Sequence, residues 1–471
     1  MDITELTIAK AHNGLKNKEF SSIELTNAYL KQIKKIDKEI NAYLFVTEDL
    51  ALNLAETADK KIASGKFSEL TGIPCGIKDA ILVKEQKCTS ASKILENYIA
   101  PYDATVVKRI KDQGGVILGK TNLDEFAMGS STENSAFGST KNPYDKTRVA
   151  GGSSGGSAAS VATNTACYTL GSDTGGSIRQ PASFCGITGL CPTYGSVSRY
   201  GLISHASSLD QIGPMAKNIE DVKIVFKAIS GKDEMDATSK NYTFEDLNVD
   251  LKNIKIGVPK EYFSKGLEKG VEKIIKNAIK KIEEAGAKII EISLPSSEYA
   301  LACYYIIGPS EISANLARLD GIRYGLSIDG KDLLDVYLKS RGQGFGPETK
   351  RRIMIGTYCL SSGYYDAYYK KAQEVRQLIK QDFANVFKKV DLLFCPVSPF
   401  PAFKIGEKAE DPISMYLADI YTIPMKLAGL PGISLPAGNV DGLPVGLQII
   451  GNHFQENKIF AVASQLEEML K

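Results

Sequence analysis

Histidine is almost absent from this sequence: His12, His205 and His453 are the only three in 471 residues. That leaves few candidates for a histidine base and excludes a histidine-rich metal site. No Cys-x-x-Cys pair occurs among the eight cysteines, at positions 75, 88, 167, 185, 191, 303, 359 and 395. Most lie in apolar runs such as Leu393-Phe394-Cys395, the pattern of free buried thiols and not of a disulfide framework or a zinc site. No stretch approaches the roughly 18 uninterrupted apolar residues of a membrane span. Asp2 and Glu5 stand where a signal peptide would be basic and then apolar. The expectation is a soluble, cytoplasmic protein without membrane contact. An excess of one charge is missing too: 57 Lys+Arg against 55 Asp+Glu leave +2, so there is no general basic face for nucleic acid.

What is present is ordinary globular composition, 43% hydrophobic and 24% charged, which excludes wholesale disorder. Ser21 and Glu24 fit a capping box, followed by Leu25, Ala28, Tyr29, Ile33 and Ile36 at helical spacing. Helical and strand-like segments then alternate. Ala104 to Gln113 reads as a helix and Val116 to Leu118 as a strand. Ile254 to Val258 reads as a strand, Val271 to Ala285 as a helix and Lys288 to Ile292 as a strand. Tyr364 to Lys389 reads as one long helix before a strand at Leu392 to Cys395. Such alternation predicts an α/β fold with a large mixed central β-sheet covered by helices on both faces. A single domain over 1–471 is expected, with N-terminal helices over about 1–65 and a polar segment at about 230–250 that can be an insertion.

Two glycine–serine clusters stand out: Gly151-Gly-Ser-Ser-Gly-Gly-Ser157 and Gly171-Ser-Asp-Thr-Gly-Gly-Ser177. Linkers are not normally interleaved with a helical run and an apolar strand, so these glycines are read as letting backbone N–H groups crowd around a ligand. A third glycine-bearing segment, Gly114 to Thr121, satisfies GxxxxGK[ST]. A true phosphate loop has a strand before its first glycine and a helix after its threonine. Here a helix precedes it and Val116-Ile117-Leu118 is itself the strand, so nucleotide binding is not expected.

Acyl transfer needs a nucleophile, a base and donors for the oxyanion. Ser177 follows two glycines, and the amides of Thr174, Gly175, Gly176 and Ser177 can form an oxyanion hole. With histidine scarce, a lysine whose charge is disfavoured by burial can serve as base. Lys78 sits beside Asp79 inside the apolar run Gly72 to Val83. It reads either as that base or as a strand lysine paired with Asp79.

Taken together, Val149 to Ser157, Gly171 to Gly186 and the upstream Lys78 resemble the amidase-signature hydrolases over essentially the whole chain. The resemblance implies a Ser–Ser–Lys triad with Ser177 as nucleophile, Ser153 as bridging serine and Lys78 as base. Asp124 to Asn134, Asn142 to Tyr144, Gly346 to Tyr369 and Met415 to Pro436 are similar to the glutamine-hydrolysing chains of tRNA-dependent amidotransferases within that family. This implies that glutamine is hydrolysed to glutamate and that ammonia passes to a partner, which amidates glutamate or aspartate misacylated on tRNA. It further implies a heterotrimer with subunits B and C, tRNA bound through the complex, no cofactor or metal in this chain, and ATP and Mg in the partner subunit. Arg352 and Asp419 match the positions that grip the substrate's α-carboxylate and α-ammonium. Ser130, Tyr304 and Tyr305 fall in segments that can line the same pocket. From the residues alone, Arg352 also reads as part of a solvated basic helix face and Asp419 as a cap or surface acid. The competing functions are a stand-alone amidase of broader substrate range and a nucleotide-binding scaffold.

Overall fold

The structure, a computed structural model, describes residues 2–264, 266–409 and 411–471. Among these residues, eleven strands form one sheet: β1 Tyr43–Val46, β2 Pro74–Lys78, β3 Val116–Thr121, β4 Tyr168–Asp173, β5 Thr188–Cys191, β6 Gln211–Ala216, β7 Lys255–Pro259, β8 Lys288–Ile292, β9 Leu392–Pro396, β10 Gly432–Val440 and β11 Leu443–Gly451. Their spatial order is β1-β3-β2-β4-β6-β5-β10-β11-β9-β7-β8. β2 runs parallel to β3 and β4, and β7 parallel to β8 and β9; the other neighbours are antiparallel. Every residue of β2, β3, β4, β5 and β6 is buried, which requires helices on both faces. The terminal strands β1 and β8 are half exposed. The fold is therefore the expected α/β arrangement around a large mixed sheet.

Local chemistry explains the elements. The helix Ser22–Ile40 opens with the capping box of Ser21 and Glu24, and it buries Leu25, Tyr29 and Ile33. The segment expected as one helix from Tyr364 instead contains a wide turn at Asp366–Lys370, where the Lys370 N–H bonds the Tyr365 carbonyl, before the helix Lys371–Val386. After that turn, Ala372, Arg376, Ile379 and Phe383 share one buried face, whereas Tyr364, Tyr365 and Tyr368 stay exposed. No regular element crosses 230–250, but Thr105 and Ser198 hydroxyls donate to Asp233 and the Arg199 N–H donates to Asp236, stitching it to the surface. All eight cysteines are free and buried.

The phosphate-loop-like segment is strand β3. Its Lys120 is fully buried and paired at 2.8 Å with Asp79, which also accepts from Thr89. Asp79 is thereby claimed by Lys120, and the adjacent Lys78 turns to other partners. Parallel pairing of β2, β3 and β4 then has a direct consequence: all three strands end on the same edge of the sheet. Lys78 closes β2, Asp173 closes β4 just before the second glycine cluster, and β3 leads into residues 122–134. The carboxyl edge of parallel strands is where α/β sheets place their binding crevices.

Candidate active site

The first glycine–serine cluster is no linker. Ser154 precedes the helix Gly155–Ala162, and residues 151–161 are all buried. The peptide between Gly152 and Ser153 is cis. A Cβ at Gly152 would run into Asp124 and the backbone of Ser131, so only glycine lets this turn approach the loop after β3. Lys78 Nζ lies 2.7 Å from Ser153 Oγ, 2.8 Å from Ser154 Oγ and 3.3 Å from the Ser172 carbonyl. Ser154 Oγ itself donates to that carbonyl at 3.1 Å.

Those three partners serve both protonation states of the lysine. An ammonium donates to all three; a neutral amine donates to Ser154 Oγ and the Ser172 carbonyl while its lone pair accepts the Ser153 hydroxyl proton. Burial favours the neutral form and lowers the Lys78 pKa to about 7, although the Asp124, Asp173 and Asp210 carboxylates pull it upward. None of the three histidines hydrogen-bonds to Lys78, Ser153 or Ser177 among the described residues. His205 is held instead by the Phe126 carbonyl, and burial pushes its pKa down to about 3.

Ser177 keeps 7% exposure where Lys78 and Ser153 have none, so of the three it is the residue open to an incoming molecule. Its carbonyl accepts from the Ser154 N–H at 3.0 Å, which joins the two glycine–serine clusters. Among the described residues, Ser177 Oγ has no hydrogen-bond partner. The N–H groups of Thr174, Gly175, Gly176 and Ser177 likewise donate to no acceptor, although their loop is firmly held. Arg179 grips Asp173 through two 3.0 Å hydrogen bonds, Thr174 Oγ1 donates to Asp210 at 2.7 Å, and Thr422 Oγ1 donates to the Gly175 carbonyl at 2.6 Å. Gly176 has φ +152°, and a Cβ there would strike Thr422. A rigid loop with four free donors is suited to a developing oxyanion.

Asp419 and Arg352 are both buried, in contrast to the exposed Lys350 and Arg351, so neither is a surface residue. Ser130 donates to Asp419 Oδ2, whereas Oδ1 is buried without a partner among the described residues. That free oxygen lies close to Gly176, since a Cβ on the glycine would sit 3.1 Å from it. Burial pushes the Asp419 pKa up to about 7. Arg352 donates its Nε–H to Glu348 Oε1 at 2.8 Å. Its guanidinium carbon lies 5.2 Å from the Tyr305 ring centre and 5.5 Å from that of Tyr416, and those two rings stack at 3.7 Å. The Nη groups make no hydrogen bond among the described residues and are free to fork a carboxylate. Tyr304 packs over Gly175. A cavity of about 160 Å³ opens on Arg352, Glu133, Lys408 and Tyr416, and its lining does not include Ser177.

Lys78, Ser153, the 174–177 loop, Asp419, Ser130 and Tyr304 thus share one sheet edge, with Arg352 and Tyr305 beside them. Sequence reasoning missed Ser154, Gln180, Glu348, Tyr416 and Thr422. Glu348 was readable, four residues before Arg352 on one helix. Gln180 donates to the Ser130 carbonyl at 2.8 Å and accepts the Gly152 N–H at 2.9 Å, and no local pattern signals either contact.

The family model described as Amidase matches residues 24–460. The chain is 57% identical to the A subunit of glutamyl-tRNA(Gln) amidotransferase from Thermoanaerobacter pseudethanolicus, covering 100% of this chain and 98% of that protein. It is 54% identical to the protein of the same name from Clostridium botulinum strain Langeland, over 99% of this chain and 98% of that one. The crystal structure of the same amidotransferase's A subunit from Thermotoga maritima superimposes with a TM-score of 0.83 at 44% identity, over 98% of this chain and 94% of that chain. Likeness of this extent, together with the two glycine–serine clusters meeting at Lys78, places the chain in the amidase-signature family.

Proposed function

We propose that this chain is the glutaminase subunit of a tRNA-dependent amidotransferase, hydrolysing glutamine through a Ser177 acyl-enzyme and releasing ammonia to a partner. The observation that carries this reading is the combination of Arg352, a buried cation with free Nη groups, and Asp419, a buried, half-satisfied carboxylate beside Gly176 of the free-amide loop. Neutral amides have no use for such a pair, whereas a free amino acid needs both charges met. The names of the relatives favour the same reading over a stand-alone amidase.

In the proposed sequence, Arg352 forks the α-carboxylate and Asp419 Oδ1 receives the α-ammonium. Ser177 Oγ attacks the side-chain carboxamide carbon and gives its proton to Ser153 Oγ, which passes its own to neutral Lys78. The oxyanion is met by the 174–177 amides. Protonated Lys78 returns the proton through Ser153 to the departing nitrogen, the C–N bond breaks, and ammonia leaves a glutamyl ester on Ser177. Water, deprotonated along the same relay, releases glutamate. Ammonia is used on Glu-tRNA(Gln), or Asp-tRNA(Asn), within a cytoplasmic heterotrimer with subunits B and C. That complex carries the tRNA, and the partner subunit carries ATP and Mg.

The test is ammonia release by the purified chain, alone and with subunits B and C, from glutamine and from benzamide. Release selective for glutamine and raised by the partners is expected. Partner-independent turnover of benzamide would move the function to a free-standing amidase.

The pH profile follows from two groups. Lys78 must be neutral, and its pKa of about 7 means activity is lost as pH falls through 7. Asp419 must be ionised to hold an ammonium, and its raised pKa of about 7 removes binding over the same range. Log kcat/KM for glutamine is therefore expected to fall below pH 7 with a slope approaching 2. For glutaramate, which lacks the α-ammonium, the slope approaches 1. Equal slopes for the two amides would remove Asp419 from ammonium binding.

A further inference from the structure

Gln180 is fully buried and belongs neither to the candidate triad nor to the oxyanion loop. The two ends of its amide nevertheless reach opposite ends of the site. Nε2 donates to the carbonyl of Ser130, whose hydroxyl donates to Asp419. Oε1 accepts the N–H of Gly152, the residue before Ser153. A continuous chain thus runs from the Asp419 carboxylate through Ser130, Gln180 and Gly152 to Ser153 and Lys78. The Gln180 amide cannot flip without opposing its NH₂ to the Gly152 N–H and its oxygen to the Ser130 carbonyl, so its orientation is set. The turn it holds is crowded, since Gly152 admits no side chain against Asp124 and Ser131. A displacement at Ser130 is therefore handed on to Ser153 instead of being absorbed locally.

The geometry points to Gln180 as a positioning residue that couples ammonium recognition at Asp419 to the proton relay at Ser153. This inference rests on the glutaminase reading above and deepens it. Glutamine is selected twice: once in binding, by the charge pair, and again in the chemical step. Arrival of the α-ammonium at Asp419 draws on the Ser130 hydroxyl, and Gln180 carries that adjustment to the turn that holds Ser153, whose hydroxyl meets Lys78. An amide lacking the ammonium binds without that adjustment and reacts with a less favourable relay geometry.

The experiment compares kcat and KM for glutamine and glutaramate in the wild-type assembled enzyme and in two variants. Gln180→Met keeps the volume and removes both hydrogen bonds. Gln180→Leu removes the same two hydrogen bonds with a different apolar shape and, like methionine, brings no charge into this fully buried position, so the expectation does not hang on one variant's folding. In both variants kcat for glutamine is expected to fall by about 10- to 100-fold, the scale of a misplaced relay. KM for glutamine changes less than about threefold, kcat for glutaramate hardly changes, and the two kcat values converge. Equal loss of kcat on both amides, which a merely structural residue would give, overturns the coupling, and so does an unchanged kcat for glutamine. The wild-type arm separates the two ideas: failure to prefer glutamine over glutaramate would overturn the glutaminase reading itself. Wild-type preference with equal losses in the variants overturns only the role of Gln180.

Discussion

Ser177→Ala is expected to reduce glutamine-dependent ammonia release by at least about 10,000-fold, because the hydroxyl that forms the proposed acyl-enzyme is gone. In the assembled complex, transamidation supplied with ammonium salt is expected to continue at the wild-type rate. The two activities are measured as glutamate formed from glutamine and as amide formed on tRNA. The separation follows from the division of labour: Ser177 lies on a loop held by Arg179, Asp210 and Thr422, so removing one hydroxyl leaves its supports intact. Loss of both activities in a correctly assembled complex would contradict ammonia transfer to a second subunit.

Substitutions in the charge pair are expected to have the next largest effect, and to divide by substrate. Arg352→Gln leaves the α-carboxylate of either amide in a buried place without a cation. Losing one partner of such a pair costs about 2–5 kcal/mol, or about 30- to 5,000-fold in kcat/KM. The loss falls on glutamine and glutaramate alike. Asp419→Asn instead lowers kcat/KM for glutamine by a comparable factor and leaves glutaramate near its wild-type value, because that amide brings no ammonium. Steady-state kinetics with the two amides decide it. A uniform loss in Asp419→Asn would mean that this carboxylate holds the loop at Ser130 and does not meet substrate.

What was legible in the sequence was mostly what is local. The capping box of Ser21 and Glu24, the strand Lys288–Ile292 and the free buried cysteines follow from short-range spacing and composition. The two glycine–serine clusters were legible as chemistry because a linker is not normally interleaved with a helical run and an apolar strand. The choice between Lys78 as base and Lys78 as partner of Asp79 was not legible. The partner of Asp79 is Lys120, 41 positions beyond it, which strand pairing brings to that carboxylate, and the role of base for Lys78 is the one proposed. Gln180 and Thr422 stayed hidden for the same reason. Their partners are backbone groups of distant segments, and nothing in the residues beside a glutamine or a threonine marks the carbonyl it will meet. The sheet order was equally out of reach, since β10 and β11 enter between β5 and β9 after long excursions of the chain.

The burial of every cysteine bears on how the reaction tolerates its surroundings. Desolvation raises the pKa of Cys75, Cys88 and Cys395 to about 12 and that of Cys191 to about 11, so hardly any thiolate exists near neutrality. With an alcohol as the proposed nucleophile and the sulfur atoms shut in the interior, hardly any electron-rich thiolate is left for peroxide or an alkylating agent to attack. The proposed glutaminase step is therefore expected to survive a peroxide or alkylating treatment that silences a cysteine nucleophile.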